Sequence, residues 1–145
     1  MKDKITIGIH LRGTDKYLEE HPISWTFFFQ KANEQADLFG PQCQFLVATD
    51  ENTLLEQATI KLNRPVIYYN CRRSSDGKPL HYGRKTTNKA ILGEDILIEA
   101  QLLSRCNLLI HTRSNVSTAA LYFNPDLQNI LLTAKHIKMP QHFRK

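Results

Sequence analysis

Five short apolar, β-branched runs alternate with longer stretches of helical period, and this rhythm leaves the chain few folds to choose from. "KITIGIH" (residues 4–10), "CQFLVATD" (43–50), "PVIYYN" (65–70), "NLLIHT" (107–112) and "LQNILLTA" (127–134) read as strands. Between the first two lies "PISWTFFFQKANEQADLF" (22–39), which opens on proline and stops before Gly40. Its Trp25, Phe28, Phe29, Ala32 and Ala36 recur at helical spacing. "NTLLEQATIKLN" (52–63) predicts an amphipathic helix with Asn52 at its N-cap. "KAILGEDILIEAQLLSRC" (89–106) and "SNVSTAALYFN" (114–124) predict two more, the last led by Ser114 and Asn115. Only "CRRSSDGKPLHYGRKTTN" (71–88) breaks the rhythm and reads as a long loop.

Strands separated by helices must pair in parallel, because a hairpin cannot return the chain in the same direction. Short runs without polar alternation suit strands covered on both faces. The expected fold is therefore α/β: a Rossmann-like, doubly wound parallel sheet of about five strands. The domain runs over residues 1–135, and a basic tail, "HIKMPQHFRK", occupies 136–145.

Composition removes several function classes. The chain has 145 residues, enough for one sizeable core. No segment approaches the ~18 apolar residues of a membrane span, and no basic-then-apolar leader is visible. A bacterial and complete chain of this kind is expected in the cytoplasm. The formal net charge of +5 suits a polyanion such as a nucleotide diphosphate, or simply a mildly basic surface. No run of five basic residues occurs, so nucleic acid is not the expected partner. Cys43, Cys71 and Cys106 lack any Cys-x-x-Cys pair, which argues against a disulfide framework or a zinc site. No histidine spacing or paired aspartates mark a metal site.

Ligands of doubly wound sheets bind beyond the carboxyl ends of the strands. There the sequence is distinctive. "HLRGTDK" follows the first strand: His10 and Arg12 can receive phosphate oxygens, and Gly13 lets a ligand approach the backbone. A surface turn with an Arg12–Asp15 ion pair is the plainer reading. "HTRSNVS" follows the fourth strand: Thr112, Ser114 and Asn115 lead into a helix N-terminus, which favours anions. Ordinary capping by Ser114 or Asn115 would explain the same residues. Asp95 and Glu99 lie one turn apart on a shared helix face, as carboxylates reading a guanine edge or a ribose, or as solvated charge. P-loop, dinucleotide and nucleophile-elbow motifs are absent.

These segments, in this order, resemble the signature regions of the fucosyltransferase superfamily. That group includes alpha-1,6-fucosyltransferases, nodulation fucosyltransferases and protein O-fucosyltransferases. "HLRGTDK" resembles the His-x-Arg-Arg-x-Asp motif, and "FLVATDE" a strand ending in Thr/Ser-Asp. "GEDILIEAQLLSRCNLLIHTRSNVSTAALYFNP" resembles the third and most specific motif. The resemblance covers residues 5–125 and implies the C-terminal, donor-binding half of a GT-B glycosyltransferase. It implies GDP-fucose as donor, a glycan or protein hydroxyl as acceptor, and inverting chemistry without a metal or other cofactor. Arg12 would bind the β-phosphate and stabilise the leaving diphosphate, and His10 would contact the nucleotide near its ribose and phosphates. Glu99 would face the guanosine, and Ser114, with its neighbours' N–H groups, would hold the phosphates. Glu20, or Glu19, falls near the family's catalytic carboxylate. Gly13 stands where many members have a second arginine, and Glu99 where they have aspartate. One Rossmann-like half is all that 145 residues hold, so the acceptor half would be a missing domain or another copy. A noncatalytic nucleotide-binding or assembly module is the alternative.

Overall fold

The computed structural model describes residues 4–12, 25–70 and 89–132. Among the described residues nine elements follow one another: β1 (Ile5–Leu11), α1 (Trp25–Phe39), β2 (Cys43–Thr49), α2 (Asn52–Lys61), β3 (Val66–Ile67), α3 (Lys89–Ser104), β4 (Leu108–His111), α4 (Asn115–Phe123) and β5 (Asn129–Leu131). The five strands form one sheet in the order β3-β2-β1-β4-β5, and every pairing is parallel. The expected α/β doubly wound sheet is what the chain forms.

Alternation along β1 sorts its side chains between two cores. Ile7, Ile9 and Leu11 join Phe28, Phe29, Ala32 and Ala36 of α1 and Leu54 and Ala58 of α2. The opposite face packs Leu46, Ala48 and Leu109 against Leu103 of α3 and Ala120 of α4. At Gly8 the second face is closest to α3. A Cβ there would stand 2.9 Å from Leu103 Cδ2 and 3.0 Å from Cys106 Sγ. Only a glycine lets α3 settle this near the sheet.

Several boundaries differ from the sequence reading. Residue 51, not Asn52, caps α2: Glu51 is extended (φ −134°, ψ 126°) and its side chain makes no capping bond. β3 keeps two residues of the six expected, because its ladder with β2 ends at the Leu46–Ile67 pair. Tyr68 is already half exposed there. β5 is likewise cut to the three residues that pair with Leu109, Ile110 and His111. α3 ends at Ser104, so Arg105 and Cys106 belong to the turn before β4. The 71–88 loop and the 136–145 tail lie outside the described residues.

Candidate functional site

The strand order reverses between β1 and β4. From β1 the chain winds outward through β2 to β3, then returns over α3 to β4 and continues to β5. α1 and α4, the helices after these two strands, pack on opposite faces of the sheet, and sheets of this kind receive ligands beyond the carboxyl ends of the strands at such a point. His10 and His111 are the last register partners of β1 and β4, so both side chains leave the sheet on the same face. Both are buried, His10 only 6% exposed. Arg12 directly follows β1 and is half-buried.

Hydrogen bonds tie the two strand ends together. Ser114 (φ −164°) is the N-cap of α4, and its Oγ accepts from the Ser117 N–H at 3.0 Å. The same Oγ lies 3.1 Å from His10 Nδ1 and 2.9 Å from Ser117 Oγ. Ser117 is fully buried, and its hydroxyl donates to the Thr112 carbonyl at 3.1 Å. On the other side His111 Nε2 lies 3.0 Å from Asn129 Oδ1 of β5, and its Nδ1 3.2 Å from the Thr112 carbonyl. Ser114 therefore does cap its helix, and through the same hydroxyl it also holds His10.

α4 begins just beyond the carboxyl end of β4, and Asn115 is its first, exposed residue. Its opening N–H groups precede the first intrahelical bond and carry the positive end of the helix dipole. Thr112 is fully buried, and its Oγ1 meets no hydrogen-bond partner among the described residues. Asp95 and Glu99 are both half-buried on α3. Leu103 packs over Gly8, and α3 runs against the strand direction. One helical turn back from Leu103 is ~6 Å, and two strand residues span ~6.6 Å. Glu99 thus stands about level with His10, and Asp95 about level with Arg12.

His10, Arg12, Asp95, Glu99, Thr112, Ser114 and Asn115 accordingly all belong to the carboxyl-end half of the central strands or the helices beside them. His10 bonds to Ser114, and Ser117 links Ser114 to the Thr112 carbonyl. Glu20 lies outside the described residues. His111, Ser117 and Asn129 were not anticipated. Ser117 had a signal, its spacing of three from the capping serine; the other two are recognisable only from strand order. Among the described residues no three His, Cys, Asp or Glu side chains cluster as metal ligands. A groove of ~520 Å³ lies elsewhere, along α1, lined by Thr26, Phe29, Asn33, Asp37 and Lys61.

No protein-family description matches the chain, and no curated protein does. Solved structures do. The crystal structure of NodZ alpha-1,6-fucosyltransferase soaked with GDP-fucose superposes on 96% of this chain with a TM-score of 0.60 at 21% identity. This chain spans 42% of the NodZ chain. The fold is thus the one found in part of a fucosyltransferase.

Proposed function

We propose that the chain is the donor-binding domain of an inverting, metal-independent GT-B glycosyltransferase that takes fucose from GDP-fucose. The reading rests on one observation above others. The fold matches part of a fucosyltransferase soaked with GDP-fucose, and His10, Ser114 and the α4 N-terminus meet where such sheets receive ligands.

In this reading the α4 N–H groups and Arg12 take the diphosphate, whose charge grows as the glycosidic bond breaks. An acceptor hydroxyl attacks the fucosyl carbon, and a carboxylate, Glu20, accepts its proton. Thr112 supplies a further donor near the phosphates. Asp95 and Glu99 stand toward the guanosine. The acceptor, a glycan or protein hydroxyl, would be held by a further domain or a partner.

The test is calorimetric titration with GDP, without metal, with UDP and ADP as controls. Micromolar to millimolar binding selective for GDP and abolished in Arg12→Ala is the expected result. Binding that Arg12→Ala leaves intact overturns the assignment. A noncatalytic nucleotide-binding module remains the second reading, since the chain spans only 42% of its structural neighbour. It predicts GDP binding with neither transfer nor donor hydrolysis by the full-length protein.

A further inference from the structure

We infer that His111 is a proton-coupled positioning residue of the anion site. With both ring nitrogens protonated it ties β5 to the turn before α4, and an anion at the α4 N-terminus holds the second proton in place. The tie is read from the two acceptors that flank the ring. His111 Nε2 lies 3.0 Å from Asn129 Oδ1, and Nδ1 lies 3.2 Å from the Thr112 carbonyl. Carbonyl oxygens only accept. The Asn129 amide is oriented by its other end, where Nδ2 donates to the Leu127 carbonyl at 3.3 Å. Turned over, the amide would set Oδ1 against that carbonyl and lose the bond. Both ring nitrogens therefore face acceptors, and both contacts close only when each nitrogen carries a proton. A neutral ring has one N–H and gives up one of them. The ring is only 5% exposed, so water does not readily replace the lost partner.

The contact to Thr112 reaches the anion site. The Thr112 carbonyl also accepts from Ser117 Oγ at 3.1 Å, and Ser117 Oγ lies 2.9 Å from the hydroxyl of Ser114, the N-cap of α4. The doubly protonated ring thus braces the turn that sets the first N–H groups of α4.

Charge couples the two as well. β1 places His10 beside the ring as its register partner, on the same face. α3 packs over that face and carries Asp95 and Glu99, both half-buried. Neither α4 nor β5 contributes a charged side chain. α4 does contribute the positive end of its dipole, and Arg113 stands in the turn between. Of these groups only the two carboxylates attract a second proton, and a diphosphate at the α4 N-terminus adds negative charge to theirs. By linkage the proton then tightens the anion by the same factor. Histidine is the side chain that makes this exchange near neutral pH. Both ring N–H groups are spent on the protein, so His111 acts on the ligand through the turn and through charge, without touching it. The coupling rests on the nucleotide reading above; the tie to Asn129 and Thr112 does not.

Long-range proton–nitrogen NMR spectra of the full chain read the tie, with His111 assigned by the loss of its signals in His111→Gln. At pH 5 both ring N–H protons are expected to be visible and slow to exchange with water. Asn129→Leu, a change at an exposed position, removes the Nε2 acceptor and is expected to free the Nε2 proton alone. Ring protons that exchange as fast as those of an unfolded histidine overturn the tie. So does an Asn129→Leu spectrum that matches wild type.

Titration with inorganic pyrophosphate and with GDP, without metal, tests the coupling. Lowering the pH from 8 to 6 is expected to favour binding several-fold more in wild type than in His111→Gln or Asn129→Leu. His10 and the phosphates of the ligand titrate in all three proteins, so the difference belongs to His111. Equal pH dependence in wild type and both variants overturns the coupling. A protected ring in a protein that binds neither anion refutes the proposed donor site, and the coupling with it, and supports the tie alone.

Discussion

Cys106 shows how burial alone can decide the chemistry of one residue. It sits in the turn after α3, against Gly8, and burial pushes its thiol up to about 12 from the usual 9.0. The thiolate is the nucleophile, so the folded protein holds this cysteine inert at ordinary pH. Cys43 is also buried, and its thiol is raised first by desolvation, against the opposing charge of Arg64. In a Cys71→Ser protein at pH 8, a disulfide reagent is expected to modify neither remaining cysteine until denaturant is added. Rapid reaction of the native protein would contradict this. The linkage has a definite sign. A thiol whose pKa is raised in the fold contributes stability that is fully present below pH 9.0, and that stability erodes as pH climbs toward about 12.

Among the elements, two helix starts on opposite faces of the sheet differ in their caps. α4 has a serine that satisfies one of its orphan N–H groups. α2 has Glu51, which satisfies none with its side chain. Burial raises the Glu51 carboxyl above 4.5, and the neighbouring Asp50 raises it further. Its charged form is therefore disfavoured by folding, although a helix N-terminus ordinarily welcomes an anion. Glu51→Ser is expected to stabilise the protein by about 1 kcal/mol, the usual contribution of a serine cap. Denaturant unfolding at pH 7 and pH 4 checks it. The gain is larger at pH 7, because Glu51 contributes stability only while protonated and loses it as pH rises. An equal or smaller gain at pH 7 would refute that account of the carboxyl.

For the whole molecule, the sheet is sealed on both faces by separate cores, so a ligand has access at its ends rather than through its middle. The carboxyl end is where β1 and β4 part company with their helices. Ligand binding there stabilises the entire fold by mass action. GDP at one hundred times its dissociation constant is expected to add about 2.7 kcal/mol. At roughly 2–4 °C per kcal/mol for a domain near this size, the melting temperature rises by several degrees. Arg12→Ala abolishes the rise. A thermal scan that shows the same rise for UDP or ADP would remove the case for guanine selectivity.

The period of the hydrophobic pattern is a local property, and it was enough to determine five strands, four helices and their parallel sense. The positions after β1 and β4 were legible for the same reason: polar, small and basic residues interrupt apolar runs where a strand must end. Strand lengths were not legible, because β3 and β5 stop where the neighbouring strand stops offering hydrogen bonds. Gly8 in mid-strand became intelligible only against Leu103 and Cys106, about a hundred residues later. His111 joined the site only because β4 lies beside β1, which makes it the partner of His10. The sequence by itself determined which residues are apolar, which are helical and which end a strand, since each depends on near neighbours along the chain. Tertiary structure alone decided which strand ends meet, and so which hydroxyl holds which histidine, since that depends on strand order in a closed core.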